Sequence, residues 1–314
     1  MHGHLRAACL SLLLALPFAC AAAQTANSAV LDLHHVLGSE CACSVARPLQ
    51  FLAEEELVVL AGPTRTCYDH VSELELVAFS LDGKVLARRP WGSTDSGLIL
   101  TPQRLALPVA GGVEVLDTDL KTIQTLRVGT KREFPAIAAT DTGILSIEVA
   151  GRKTFYAGTP LRPVKPPPDP AASGDTQIVS TLDGSWRLLR QGDSLVEVRE
   201  GARPRTFADL SWVIPPCRQH GLCEADDSST HFQTVHGRRN RVLITSVGSR
   251  MPVTGTFGLL PYFRVQVFDL DTGAEVYREE DEFRARDRVS ALSPDGDVVV
   301  VSDGYTAVVH RLDR

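Results

Sequence analysis

The chain has 314 residues, of which 44% are hydrophobic and 22% are charged. A chain of this composition can bury a large core, which excludes a disordered chain, a collagen-like chain and a short disulfide-stabilised peptide. The formal net charge of −6 gives no reason to expect a nucleic-acid partner. The 24 glycines and 19 prolines favour many short elements joined by turns over a few long helices.

The N-terminal residues have the pattern of a secretory signal peptide. The apolar run Leu10–Phe18 is too short to span a membrane, and Ala21–Ala23 has the small-x-small pattern that signal peptidase cleaves. We therefore predict a removed signal peptide over 1–23 and a single domain over 24–314, in a periplasmic or secreted protein. The alternative is a lipoprotein anchored through Cys20, but the residues before this cysteine fit lipidation poorly.

Five cysteines remain after the predicted cleavage, and an exported chain meets an oxidising compartment in which disulfides persist. Cys217 and Cys223 bracket a short polar loop, which predicts a local disulfide. Cys67 is predicted to pair with Cys41 or with Cys43, which lie too close together to pair comfortably with each other. One thiol is left over in either case.

Alternation of polar and apolar residues predicts β-strands along most of the chain. The clearest segments in chain order are Ala29–His34, Glu73–Phe79, Leu195–Arg199 and Arg264–Val267. Val298–Val301 is a continuous β-branched run, which predicts a strand buried on both faces.

Tight turns separate these strands. Asp-Gly pairs supply the positive φ that a hairpin turn needs. The predicted turns are Leu81–Lys84, Leu182–Ser185, Asp271–Gly273 and Pro294–Gly296.

The strands repeat at a nearly constant interval. Apolar anchor residues lie at Val77, Val115, Phe155, Val196, Val267 and Val308. Their spacings are 38, 40, 41, 71 and 41 residues, and about 40 residues make one four-stranded propeller blade. The spacing of 71 fits one blade with insertions or two compressed blades. We favour one blade, which predicts six blades rather than seven.

The last predicted blade is one strand short. Only three strands follow Arg288, whereas Ala29–His34 has no partner of its own. Pairing this N-terminal strand into the last blade would close the ring and remove exposed edges. Pro163–Pro170 is predicted to be an extended connector between the third and fourth blades, because proline cannot donate to a strand ladder.

Val267–Gly273 followed by Ser293–Gly296 resembles the exported bacterial propeller repeats of the WD40-like and YVTN kind. In that family a strand ending in D-L-x-T-G leads to the S-P-D-G turn of the next blade. The resemblance is clearest over 264–312. It implies an all-β fold made of a single β-propeller.

Two motifs suggest chemistry that their context does not support. Gly192–Leu195 spells a serine-hydrolase signature, but the sole Asp-x-x-His motif, Asp32–His35, precedes it rather than following it. Cys217, His220 and Cys223 offer three soft ligands, whereas a structural zinc site has four. We therefore predict no nucleophile and no metal.

The remaining polar clusters are interpreted as structural. His34 and His35 would point to opposite faces of a strand, and Asp269–Gly273 lacks the later ligands of a calcium loop. Glu54–Glu56 is predicted to be solvated. Glu279–Glu282, followed by basic residues at 284, 286 and 288, is predicted to form a self-neutralising surface loop.

These observations predict an exported, monomeric binding scaffold for a protein, peptide or glycan, with no catalytic residue and no cofactor. The binding surface is predicted at Pro215–Thr230 and Gly248–Pro261, where blade five carries its insertions. The alternative is a propeller enzyme, such as a lyase, hydrolase or quinone-linked oxidoreductase, with its site at the central channel. Clustered His, Asp and Arg at the channel would favour the enzyme, whereas Val, Ala and Ser would oppose it.

Overall fold

Six four-stranded antiparallel sheets make up the chain in a computed structural model. The structure describes residues 28–37, 49–61, 74–91, 99–101, 104–139, 144–166, 176–180, 186–191, 194–209, 229–250, 260–281 and 288–312.

The chain begins its described part with β1 (Ser28–Asp32) and the short helix α1 (Leu33–Leu37). Five complete blades follow. Blade one consists of β2 (Gln50–Ala53), β3 (Glu56–Ala61), β4 (Leu74–Ser80) and β5 (Val85–Trp91). Blade two consists of β6 (Ile99–Thr101), β7 (Arg104–Val109), β8 (Gly112–Leu116) and β9 (Thr122–Arg127). Blade three consists of β10 (Ala136–Ala139), β11 (Leu145–Val149), β12 (Arg152–Ala157) and β13 (Arg162–Val164).

The second half of the ring has the same pattern. Blade four consists of β14 (Thr176–Ser180), β15 (Trp186–Gln191), β16 (Ser194–Arg199) and β17 (Arg205–Asp209). Blade five consists of β18 (Ser229–His236), β19 (Asn240–Arg250), β20 (Leu260–Asp269) and β21 (Glu275–Asp281). Blade six consists of β22 (Val289–Leu292), β23 (Val298–Ser302), β24 (Thr306–Arg311) and the N-terminal β1.

The sequence repeat is confirmed, because all six anchor residues lie on the third strand of their blades. The interval of 71 residues runs from β16 to β20 and therefore contains one blade. The chain is thus a six-bladed β-propeller, as the spacing predicted. The predicted turns that fall in the described residues are confirmed, with positive φ at Gly83, Gly273 and Gly296.

The N-terminal strand closes the ring, as predicted. β1 pairs with β24 from Ser28 opposite His310 to Asp32 opposite Thr306. The strand is shorter than predicted, because a helical turn replaces it from Leu33 onward. The backbone N–H of His35 donates to the Asp32 carboxylate at 3.2 Å, which caps this turn.

The sequence contained the signal for that correction. Leu33, Val36 and Leu37 are buried, and spacings of three and four residues belong to a helix rather than to a strand. His34 and His35 therefore lie on a helix and are both exposed.

The turn between β2 and β3 holds the closed ring together and is not simply solvated, as we had expected. The Glu54 carboxylate accepts hydrogen bonds from the Ser293 hydroxyl at 2.9 Å and the Asp295 backbone N–H at 2.8 Å. Burial raises the pKa of Glu54, while these two bonds act against the shift. Glu55 forms a bidentate ion pair with Arg311, with both distances at 3.0 Å. Blade one is thereby tied to blade six.

Pro163 was wrongly excluded from the sheet. It lies in β13, opposite Tyr156 of β12. β13 is the outermost strand of its blade, so it needs hydrogen bonds on one side alone and can accept a residue without an N–H group.

Apolar side chains fill the seams between neighbouring blades. One cluster joins blades six and one through residues that include Phe79, Val300 and Val309. Another joins blades five and six through residues that include Val265 and Val299. All five residues of β23 are buried, which confirms the prediction made from its β-branched run.

Candidate functional site

The two ends of the ring differ in the length of their connections. At one end, which we call the turn face, the first strand of each blade joins the second and the third joins the fourth. None of these connections exceeds five residues. At the other end, the loop face, the second strand joins the third and each blade joins the next. The long connections 62–73, 210–228 and 251–259 all occur there.

Blade five extends beyond the other blades at the loop face. β19 has 11 residues and β20 has 10, whereas the second and third strands of other blades have five to seven. The extra pairs run from Gly248 opposite Tyr262 to Arg250 opposite Leu260, beyond the buried Phe263. At about 3.3 Å per residue, these three pairs project the hairpin by about 10 Å. We call this segment the arm.

A network of paired charges lies at the base of the arm, in the seam between blades five and six. Arg288 donates to the Glu279 carboxylate at 2.7 Å and forms an ion pair with Asp281 at 2.6 Å. Its guanidinium covers the ring of Phe263, 5.4 Å from the ring centre. Arg288 is therefore neutralised, as predicted, but its side chain is just 14% exposed and residues 279–281 lie in β21. The prediction of a surface loop was wrong for these residues, because strand pairing holds the carboxylates in the seam.

Tyr277 and His310 complete this network. The Tyr277 hydroxyl donates to Glu279 at 2.7 Å, and the two rings lie 5.0 Å apart. Burial and the neighbouring Glu279 raise the pKa of Tyr277 far above its usual range. Burial lowers the pKa of His310, although the Glu279 carboxylate, 3.8 Å from its Nε2, acts in the opposite direction. Both rings are therefore held neutral at pH 7, and the network stabilises the base of the arm.

A second charged network lies between blades four and five. The Glu197 side chain accepts from the Trp186 indole N–H at 2.7 Å and forms ion pairs with Arg199 and Arg205 at 2.7 and 2.9 Å. Burial raises the pKa of Glu197, but the hydrogen bonds from Trp186 and Arg199 and the two positive charges bring it below its usual value. Glu197 thus remains ionised although it is only 4% exposed.

Asp269–Gly273 forms the turn between β20 and β21, as predicted. The Asp269 carboxylate accepts hydrogen bonds from the backbone N–H groups of Asp271 and Thr272 at 3.1 and 2.8 Å. The carboxylate of Asp269 is therefore engaged in hydrogen bonds within the turn. Within the described part of the chain, no group of three or more His, Cys, Asp and Glu side chains is placed to hold a metal ion.

The first strands lie nearest the axis of the ring, because first strands of neighbouring blades contact one another, and we call them the channel strands. Among their described residues these strands carry no Asp, Glu, Lys or Arg, and their only titratable side chains are His231 and His236 of β18. His236 packs edge-on against Trp186, with the ring centres 4.8 Å apart. β10 and β22 consist of small and apolar residues, Ala-Ile-Ala-Ala and Val-Ser-Ala-Leu.

Several predicted site residues lie outside the described residues. They include all five disulfide candidates, Cys41, Cys43, Cys67, Cys217 and Cys223, together with His220. Their pairing therefore stays a prediction, as does the signal peptide over 1–23. Of the hydrolase-like motif, Ser194 begins β16 and Gly192 lies outside the described ranges.

The folded chain belongs structurally to the six-bladed β-propellers. Among solved structures, a chain of the mitotic checkpoint complex is similar, with 10% identity and a TM-score of 0.43, over 98% of this chain and 100% of that chain. Virginiamycin B lyase from Staphylococcus aureus has 12% identity and a TM-score of 0.40, over 91% and 99% of the two chains. TolB from Acinetobacter baumannii has 12% identity and a TM-score of 0.37, over 83% and 64%.

These likenesses concern architecture alone. No protein-family model matches the sequence, and no curated protein matches it either. In the described residues, no helix combines the length and the apolar character needed to cross a membrane.

Proposed function

We propose that the protein is an exported binding scaffold whose loop face takes a protein, peptide or glycan ligand. The projecting arm of blade five is the observation that carries this proposal. The other second and third strands have five to seven residues, whereas β19 has 11 and β20 has 10 and their pairing continues to Arg250 opposite Leu260. A rigid ring that presents extended connections at one end is suited to recognition.

The base of the arm supports the same proposal. A hairpin that projects into solvent recognises a ligand well only if its position is fixed beforehand, because ordering it on binding costs affinity. Arg288 holds Glu279 and Asp281 of β21, which pairs with β20, and its guanidinium covers Phe263 at the base of the arm. The predicted binding segment Pro215–Thr230 leads from blade four into β18 of blade five, and Gly248–Pro261 spans the connection from β19 to β20 at the same face.

The alternative, an enzyme at the central channel, receives no support from the described channel strands. They offer two histidines and no carboxylate, lysine or arginine. A binding role needs no such groups. Export rests on the predicted signal peptide, and the protein is proposed to act as a monomer in the periplasm or outside the cell.

Trimming the arm tests the proposal. Replacing 248–262 by Asn-Gly would close the hairpin at the pair Val247–Phe263 with a two-residue turn. The unmodified mature protein and the trimmed variant would each be cross-linked in native cell envelope and purified, and the attached molecules quantified by mass spectrometry. We expect at least one partner to be lost with the arm.

Lys84→Glu is the matched control, because this exposed residue lies in a turn at the opposite face. It should retain the partner that the trimmed variant loses. Circular dichroism would establish that both variants are folded. Capture of the same partners by the trimmed variant, or capture of none by the unmodified protein, would overturn the proposal.

A further inference from the structure

Basic side chains gather at the loop-face end of blade three. Two lie in the connection from β9 to β10, two begin β12, and the others end β9 and follow β13. All six are exposed. They are Arg127, Lys131, Arg132, Arg152, Lys153 and Lys165, which we call the basic rim.

The backbone of the β9–β10 connection holds these residues in one region. The N–H groups of Val128 and Gly129 donate to the Gly111 carbonyl at 3.2 and 3.3 Å, and the Gly111 N–H donates to the Glu133 carbonyl at 2.8 Å. A Cβ on Gly129 would lie 3.2 Å from a methyl group of Val149. The connection therefore fits between the β7–β8 turn and the β11–β12 turn, next to Arg152 and Lys153.

The basic rim is not neutralised by the protein. None of its six residues forms an ion pair with a described residue. Glu133 is engaged locally, because its carboxylate accepts from the Thr130 N–H and hydroxyl at 2.9 and 3.0 Å. Glu148 stands opposite Lys153 in the strand register without an ion pair. Six cations and these two carboxylates leave a local charge of +4 in a chain whose net charge is −6.

Apolar side chains are exposed among these cations. Phe134 ends the β9–β10 connection and is 53% exposed, and Val164 of β13 is 38% exposed. The Lys153 ammonium lies over the half-buried Phe155 ring, 5.6 Å from its centre. The basic rim thus combines uncompensated positive charge with an aromatic side chain in solvent.

We propose that the basic rim docks the propeller onto a membrane surface that contains anionic phospholipids. Its cations lie on turns and strand ends at one end of the ring, and all of them are exposed there. A flat layer of phosphate head groups can meet several such cations at once, with the long Lys and Arg side chains reaching the head groups. Phe134 is an exposed aromatic side chain among cations, and such side chains insert at the membrane interface.

Vesicle flotation tests the proposal with the full mature chain. The probes are phosphatidylcholine vesicles with and without phosphatidylglycerol, at low and at high salt. Since each basic residue near an anionic surface contributes about 1 kcal/mol, Lys131→Glu with Arg132→Glu should lower the affinity for anionic vesicles about tenfold or more. Binding of the unmodified protein should fall at high salt and be absent from neutral vesicles.

A charge-matched control separates position from net charge. Lys84→Glu with Arg203→Glu also reverses one lysine and one arginine, both exposed, on the turn face. This variant should bind within about twofold of the unmodified protein, since its rim is intact. Phe134→Ser should weaken binding while leaving the salt dependence unchanged, because it removes no charge.

Four results would overturn the proposal. They are no binding of the unmodified protein to anionic vesicles, equal binding to neutral ones, equal losses in both charge-reversal variants, and no loss in the rim variant. Poly-glutamate is the competing probe. Binding to it together with no binding to anionic vesicles would assign the basic rim to an acidic polypeptide instead.

Discussion

The seam between blades five and six and the basic rim both contain charged side chains, but among the described residues these are paired in the seam and unpaired on the rim. In the seam, Arg288 lies between Glu279 and Asp281 with just 14% of its side chain exposed. On the rim, Lys131 and Arg132 are exposed and have no described carboxylate to pair with. The seam uses its charges inside the molecule, whereas the rim leaves its charges available to something outside it.

This difference teaches that charge content alone does not indicate a binding surface. Both regions contain several charged side chains, arginine among them. What separates them is whether strand register places an opposite charge within reach. On β21, residues 277, 279 and 281 share one side and meet Arg288 there. The cations of the basic rim form no ion pair with a carboxylate among the described residues.

The contrast between seam and rim requires that Arg288 stabilises the fold, and this is the largest effect that we expect. Arg288→Ala should lower the free energy of unfolding by about 2 kcal/mol, because it leaves two half-buried carboxylates without their cation and uncovers Phe263. Urea denaturation of the mature protein measures this loss. Arg278→Ala is the control, at an arginine of β21 next to Glu279. Its side chain is 51% exposed, so its pairing with Glu275 should contribute less than about 1 kcal/mol. Equal losses in the two variants would contradict the assignment of Arg288 to the structural network.

A smaller effect concerns pH. Burial lowers the pKa of His310 in the folded state below its ordinary value of 6.5, so the unfolded chain takes up the proton more readily. The stabilisation is complete above about pH 6.5 and is lost as the pH falls from there through the folded pKa. Unfolding followed by urea at a series of pH values should show this decline. His310→Gln should make the decline shallower, and an unchanged slope would show that His310 is not the group responsible.

The smallest effect is expected on the rim. Lys131→Ala with Arg132→Ala should change the free energy of unfolding by no more than about 0.5 kcal/mol, because neither side chain has a partner to lose. The same urea denaturation measures it. A loss similar to that of Arg288→Ala would mean that the rim is a structural network like the seam, and the contrast between the two regions would disappear.

The propeller was predictable because its signals are local and repeated. Each blade contributes a third strand with an apolar anchor residue. Alternation of polar and apolar residues in the sequence indicates the strands of Val77, Val115 and Val267. Closure by Ala29–His34 was predictable from an imbalance, since one strand lacked a partner and one blade lacked a strand. The errors at Leu33 and Pro163 arose at the ends and edges of sheets, where alternation no longer constrains the backbone.

The candidate site was predictable only in part. Insertions in blade five were visible as a long interval between anchors, but the projection of β19 and β20 depends on how far two strands stay paired. The role of Glu54 was missed because its partners, Ser293 and Asp295, lie at the other end of the chain. The basic rim was missed because its residues come from three separate segments. Counting charge blade by blade would have revealed it.

Ring closure by β1 also sets the order in which this protein can be completed. β1 is synthesised first among the described strands, and its partner β24 is synthesised last. A nascent chain must therefore carry an unpaired strand while five blades form, and such contacts between distant segments are slow to establish. Until β24 emerges, the free edge of β1 is open to pairing with other chains. Chaperone demand during biogenesis should thus fall on the two ends of this chain rather than on its middle.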